Sequence, residues 1–229
     1  MKSTSQIAHR RLFPSLTDPA YLTLRSRRRI FEGWARESKG QHLRALDIGG
    51  RYQPYRVLFN SIDQYVALDL IATDAVSVVA DAEKLPFSDA SFDMAIATQV
   101  FEYFRDPCQT ARQIHAALKP GGMLIASFAA CTPRFVEEEH WRFTPSGLRL
   151  ILAPFERVEI VPELHSLAGL LRTVILGLDS FVRYRSFRYV YRFTLCPFLN
   201  LLGFALEGMS LTSNDQFTTN YSVRAVKAK

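Results

Sequence analysis

Five short apolar segments in a fixed order, each ending in an acid or in glycines, restrict what this chain can fold into. They are Ala-Leu-Asp-Ile-Gly-Gly at 45–50, Tyr-Val-Ala-Leu-Asp at 65–69, Val-Ala-Asp-Ala-Glu-Lys-Leu-Pro-Phe at 79–87, Ser-Phe-Asp-Met-Ala-Ile-Ala-Thr-Gln at 91–99 and Leu-Lys-Pro-Gly-Gly-Met-Leu-Ile-Ala-Ser at 118–127. Such runs alternating with helical patterns are the mark of parallel strands joined by crossovers. Strands are expected near 43–48, 64–69, 75–80, 92–98, 122–128 and 156–161, with a last one at 218–226. Asp18-Pro19 reads as the cap and first turn of a helix to about Ser38. Its apolar face holds Leu24, Phe31 and Ala35, flanked by Ile30 and Trp34, and its arginines mostly take the other face. A second helix is expected from Asp106-Pro107 to the breaker Pro120-Gly121-Gly122, and a third from Thr144-Pro145 to about Leu152.

Ligands of open α/β sheets bind beyond the carboxyl ends of the strands, where the strand order reverses. Gly49 and Gly50 follow the first strand, where missing side chains let backbone amides approach a ligand. Asp69 ends the second strand, with Leu70 after it, and suits a carboxylate that accepts both ribose hydroxyls. Asp81 and Ala82 end the third, offering a carboxylate and an adjacent N–H to an adenine edge. Thr98-Gln99 ends the fourth. Each position alone reads more simply as a strand end or a cap. Their order and spacing together point to a nucleoside cofactor.

At 229 residues, 48% hydrophobic and 22% charged, the chain is long enough for one large globular domain. Residues 1–40 hold nine Lys and Arg against three acids, and Arg183, Arg185, Arg188 and Arg192 lie in a stretch free of acids from Asp179 to Glu207. That basic balance suggests phosphate, nucleic acid or anionic lipid nearby. Cys108, Cys131 and Cys196 are too few and too scattered for a disulfide framework or a metal site, so no metal is expected and a reducing, cytoplasmic setting fits. Neither a signal peptide nor a membrane-spanning segment is expected.

The segments at 45–50, 84–87, 91–107 and 118–124 resemble class I S-adenosylmethionine-dependent methyltransferases over about residues 43–160 and the last strand. Gln53–Phe59 and His140–Leu148 are similar to stretches of bacterial enzymes that modify surface polysaccharides and lipids. The resemblance implies an α/β, Rossmann-like fold with a seven-stranded, mostly parallel sheet and helices on both faces. It implies S-adenosylmethionine as cofactor, held by Asp47, Gly49, Gly50, Asp69, Leu70, Asp81, Ala82 and Gln99. It further implies methyl transfer to a small or lipid-linked acceptor at a hydroxyl, a sugar being one such acceptor, with His140 as the general base. The amino-group motif Asn-Pro-Pro-Tyr is absent after the fourth strand, which favours an oxygen acceptor. Arg51 and Gln53 stand where the family carries further glycines, and ordinary φ angles are expected at both. If they close the site, the chain is a methyltransferase-like binding protein without catalysis.

The chain divides into a basic helical segment at 1–40, a core at 41–161 with 218–229, and an insert at 162–217. The sixth and seventh strands of this topology need only a short loop, so about 55 residues between them form a helical insert with its own role. Leu167, Leu170, Leu171, Val174, Ile175 and Leu178 are expected on one apolar face. Arg185, Arg188 and Arg192 share a stripe beside Tyr184, Phe187 and Tyr191. Three roles are open to it: a lid or homodimer interface, peripheral contact with the inner face of a membrane through 165–206, or nucleic-acid binding. The last is the least expected, because nothing resembles an RNA module.

Overall fold

The computed structural model describes residues 3–37, 42–59, 62–182, 184–208 and 214–229. Two N-terminal helices, α1 (Thr4–Leu12) and α2 (Tyr21–Glu37), precede the strands β1 (Leu43–Ile48), β2 (Ile62–Asp69), β3 (Val78–Val79) and β4 (Phe92–Thr98). Next come α3 (Pro107–Ala117), β5 (Leu118–Ala129), α4 (Pro145–Ile151) and β6 (Arg157–Pro162). The helices α5 (Ser166–Phe181), α6 (Arg185–Phe193) and α7 (Leu195–Gly208) then lead to β7 (Asn220–Val226). The sheet order is β3-β2-β1-β4-β5-β7-β6, parallel except for β7, which runs antiparallel between β5 and β6.

Two apolar layers sandwich the sheet. On one side α3 and α4 cover Leu46, Phe92, Leu124 and Val223. On the other, α2 lays Phe31, Trp34 and Ala35 against Ala45, Met94, Ile96 and Ile125. The crossovers on either side of β2 and β3 contain no α-helix among the described residues, only 3-10 turns at Arg56–Leu58 and Ala82–Lys84. The N-terminal helix therefore supplies the cover for that face.

Four local expectations change. Asp18 does not cap α2: its carboxylate accepts from the Ala20 N–H at 2.9 Å and from Arg10 at 2.5 Å, so it locks the turn before the helix. The segment expected as helical at 1–40 holds two helices, α1 preceding the one expected from Asp18. The Pro120-Gly121-Gly122 stretch does not end α3, which stops at Ala117, but lies inside β5. The ladder skips there, pairing Leu118 with Phe92 and Met123 with Met94. Finally, α2 buries Arg27 on the same face as Phe31.

Arg27 forms a bidentate pair with Glu163, immediately after β6, at 2.7 and 3.0 Å, and both side chains are buried. Asn220 and Ser222 of β7 donate to the same carboxylate. Within the insert, α5 buries Ala168, Gly169, Arg172, Ile175 and Leu176, whereas Leu167, Leu170 and Val174 are exposed. The expected apolar face is thus rotated. A Cβ at Gly169 would run into the Phe217 carbonyl, so this is where α5 meets the chain returning to β7. Arg172 is buried too, donating to Thr23 at 3.2 Å, and burial lowers its pKa to about 10.

Removing one partner of a buried ion pair leaves the other charge without compensation, a loss of about 3–5 kcal/mol. Arg27→Met should therefore lower unfolding free energy in urea by about that amount. A loss under about 1 kcal/mol, the range of a surface pair, would show the pair to be incidental.

Candidate functional site

The parallel run of β1, β2, β4 and β5 brings their carboxyl ends to one edge, and the strand order reverses between β1 and β4. At the end of β1, Gly49 has φ +73°. The N–H groups of Gly49 and Gly50 both donate to the Leu68 carbonyl, at 2.8 and 3.1 Å. A Cβ on Gly49 would lie 3.0 Å from Val100, and one on Gly50 only 2.8 Å from the Asp47 carbonyl oxygen. The turn is closed to any side chain.

Asp47 is buried beneath this turn and accepts a hydrogen bond from the Tyr65 hydroxyl at 2.5 Å. Its pKa is pushed up to about 7, because burial, aided by the neighbouring Asp69 carboxylate, outweighs the Tyr65 bond. Asp69 is also buried. One of its oxygens accepts from the Ile71 N–H at 3.0 Å. Among the described residues its other oxygen accepts no hydrogen bond, and the Arg51 guanidinium lies 3.9 Å from it, beyond hydrogen-bond range. Leu70 beside it is 70% exposed, an apolar side chain free to cover a planar ring.

Two glutamines hold backbone angles that favour glycine. Gln99, after β4, has φ +51°, and its N–H donates to the Ser127 carbonyl at 3.0 Å. Gln53 has φ +45°, and its side-chain amide donates to the Ala75 carbonyl. The expectation of an ordinary φ at Gln53 is thereby corrected: the chain keeps the glycine-like conformation and a side-chain hydrogen bond offsets its strain. Arg51 has no positive φ. It lies over the Tyr52 ring, 5.2 Å from the centroid, and Arg11 of α1 lies over the same ring at 4.8 Å.

Asp47, Gly49, Gly50, Asp69, Leu70 and Gln99 thus meet at the ends of β1, β2 and β4. Asp81 and Ala82 stand farther out, past β3, where the Asp81 carboxylate accepts from the Glu83 N–H at 2.9 Å and Ala82 is buried. His140 lies on the segment after β5. Its ring is exposed, and its backbone N–H donates to the Glu102 carbonyl at 2.7 Å.

Glu102 is the site residue that sequence reasoning missed. It is 3% exposed, one oxygen accepts from the Ala129 N–H at 3.2 Å, and the other has no hydrogen-bond partner among the described residues. Burial raises its pKa from 4.5 to about 7. One signal was available in the sequence: an acid between Phe101 and Tyr103 in an apolar stretch.

Residues 40–126 match a family model described as a methyltransferase domain. With the strand order above, this segment is similar to the class I S-adenosylmethionine-dependent methyltransferases. Over 82 residues the chain is 34% identical to malonyl-[acyl-carrier protein] O-methyltransferase 1 of Coxiella burnetii, covering 36% of the chain and 28% of that protein. Over 147 residues it is 26% identical to the mitochondrial arginine-hydroxylase NDUFAF5 of Rattus norvegicus, covering 60% of the chain and 40% of that protein. The chain therefore spans well under two thirds of the length of these relatives. Among solved structures, the [4+2]-cyclase SpnF superimposes with a TM-score of 0.55 at 18% identity, over 87% of this chain and 80% of that one. The superfamily's cofactor is S-adenosylmethionine, and the open Asp69 oxygen beside the Gly49-Gly50 turn fits its ribose.

Because Glu102 binds its proton more tightly in the folded state, it contributes full stability below about pH 4.5 and loses it as pH rises through 7. Between pH 4.5 and 8 the wild type should lose about 3 kcal/mol more stability in urea than Glu102→Gln. Identical pH profiles would rule out a protonated Glu102.

Proposed function

We propose that the chain transfers a methyl group from S-adenosylmethionine to an oxygen, in the first instance a hydroxyl, of a small or lipid-linked acceptor. The observation that carries this reading is the half-committed Asp69 carboxylate at the end of β2, next to a turn closed to side chains. The bound cofactor supplies an electrophilic methyl on a sulfonium sulfur. Asp69 accepts the ribose hydroxyls, Leu70 covers the adenine ring, and Asp81 with the Ala82 N–H reads its edge. The Gly49-Gly50 turn leaves room for the chain of the amino acid, and Gln99 lines it. His140 would take the acceptor's hydroxyl proton on a ring nitrogen, leaving the oxygen free to accept the methyl that the cofactor would supply. The Thr98-Gln99-Val100-Phe101 sequence after β4, without the amino-group motif, supports oxygen over nitrogen, and so does the O-methyltransferase name of the Coxiella relative.

The cyclase and hydroxylase names among the relatives make the reaction a property of the site and not of the fold. Incubation with tritium-labelled methyl donor and a cell extract tests it. Label should enter an organic-soluble or small-molecule fraction, and His140→Gln should lower that incorporation by about 100-fold or more. Label confined to protein or RNA, or no incorporation at all, would contradict the reading. A fully active His140→Gln would remove His140 from the base role.

A further inference from the structure

The insert turns more apolar surface outward than the fold uses. In α7, Cys196, Asn200 and Gly203 face the protein, while Leu195, Phe198, Leu201, Leu202 and Phe204 face solvent. No charged residue occurs in α7 before Glu207, so its outer face is wholly apolar there. In α6, Phe187, Tyr189, Val190 and Phe193 are exposed around Arg188. Phe198 is 62% exposed and Phe181, at the end of α5, 84%. A surface helix ordinarily presents charge outward, and contiguous exposed aromatic and aliphatic groups mark an interaction surface.

Ser186–Gly208, which joins α6 to α7, contains 23 residues and is long and apolar enough to cross a bilayer. Its inner face is already committed. The Tyr191 hydroxyl donates to the Ile175 carbonyl at 2.7 Å, correcting the expectation that Tyr191 shares an outward stripe with Tyr184 and Phe187. The Asn200 amide donates to the Leu16 and Asp18 carbonyls at 2.7 and 3.0 Å. Arg192 pairs with Asp179 in a two-pronged contact at 3.0 Å. At Thr194 the backbone breaks (φ −120°, ψ −75°) between the two helices. A spanning segment would have to give up these bonds inside hydrocarbon. Lying in the interface plane keeps them.

We propose that the outward face of α6 and α7 docks on an anionic lipid bilayer, with its aromatic and leucine side chains among the acyl chains and its arginines at the headgroups. Charge complementarity selects this occupant. Exposed Arg188 stands among the aromatic side chains of α6, with no acid on either helix before Glu207, and Arg25 of α2 sits 4.3 Å over the Phe204 ring at the edge of the face. A second copy of the chain would bring this basic rim against itself. The outer face of α7 lacks the cations that a nucleic acid backbone requires. The insert leaves β6 and returns to β7 at the ligand edge of the sheet, so docking sets that edge beside the membrane.

Flotation of the full chain with phosphatidylcholine vesicles, with and without phosphatidylglycerol, tests this without reference to methyl transfer. The wild type should float with the phosphatidylglycerol vesicles. Phe198→Glu/Leu201→Glu/Leu202→Glu should bind them at least about tenfold more weakly at unchanged melting temperature, since these side chains are exposed. Arg188→Glu should lose affinity about fivefold or more for the anionic vesicles alone. Absence of wild-type flotation, or equal flotation of the triple variant, overturns the proposal. So does a wild-type dimer that the triple variant converts to monomer without vesicle binding.

Discussion

The Arg27–Glu163 pair is the most deeply buried ion pair among the described residues, and it ties three distant parts of the chain together. Arg27 comes from α2, Glu163 from the end of β6, and the same carboxylate holds Asn220 and Ser222 of β7. A buried pair of charges is retained only where its desolvation is met by hydrogen bonds on every side, and here the carboxylate receives four donors. The consequence is directional. With α2 fixed across one face and β7 fixed between β5 and β6, the chain between Glu163 and Asn220 has to leave and return at the ligand edge. The insert, the N-terminal helix and the candidate site are therefore neighbours, and the Thr23–Thr219 and Arg172–Thr23 bonds and the packing of Leu22 on Leu164 reinforce that junction.

Backbone geometry at that edge also follows from close packing. The sheet brings Ala67, Asp47 and Val100 so near the β1 turn that no side chain fits at Gly49 or Gly50. Gln53 and Gln99 adopt left-handed angles without being glycine, each tied by hydrogen bonds to a neighbouring strand end or loop. Strain of this kind persists where surrounding structure over-determines it, and it gathers at functional sites. Burial of Asp47 and Glu102 adds two raised carboxyl pKa values to the same region, a further feature of such sites.

Sequence reading reached the sheet because parallel core strands are nearly continuous apolar runs with a sharp polar end. The ranges at 43–48 and 92–98 match β1 and β4, whereas the third strand shrinks to Val78–Val79. What escaped was set by tertiary partners. Arg27 reads as a solvated arginine until Glu163 is placed opposite it. The Pro120-Gly121-Gly122 stretch reads as a helix stop until the β4 ladder accommodates it with a skip. The face of α5 was misjudged because Gly169 and Arg172, weak apolar signals, make its closest contacts. At the site, strand-end acids and glycines were legible by position. Glu102 stood out only as an acid between two aromatic residues, a pattern that does not by itself say it will be sealed under the end of β5.

The central claim is that the ends of β1, β2 and β4 form one nucleoside site organised by Asp69. The direct measurement is isothermal titration of S-adenosylhomocysteine into the full chain and into Asp69→Asn, a change that keeps an acceptor for the Ile71 N–H. Saturable binding by the wild type that weakens about tenfold or more in the variant is the predicted result, because two hydrogen bonds to a charged acceptor are lost or weakened. Equal affinities in the two proteins, or no binding by the wild type, would contradict it.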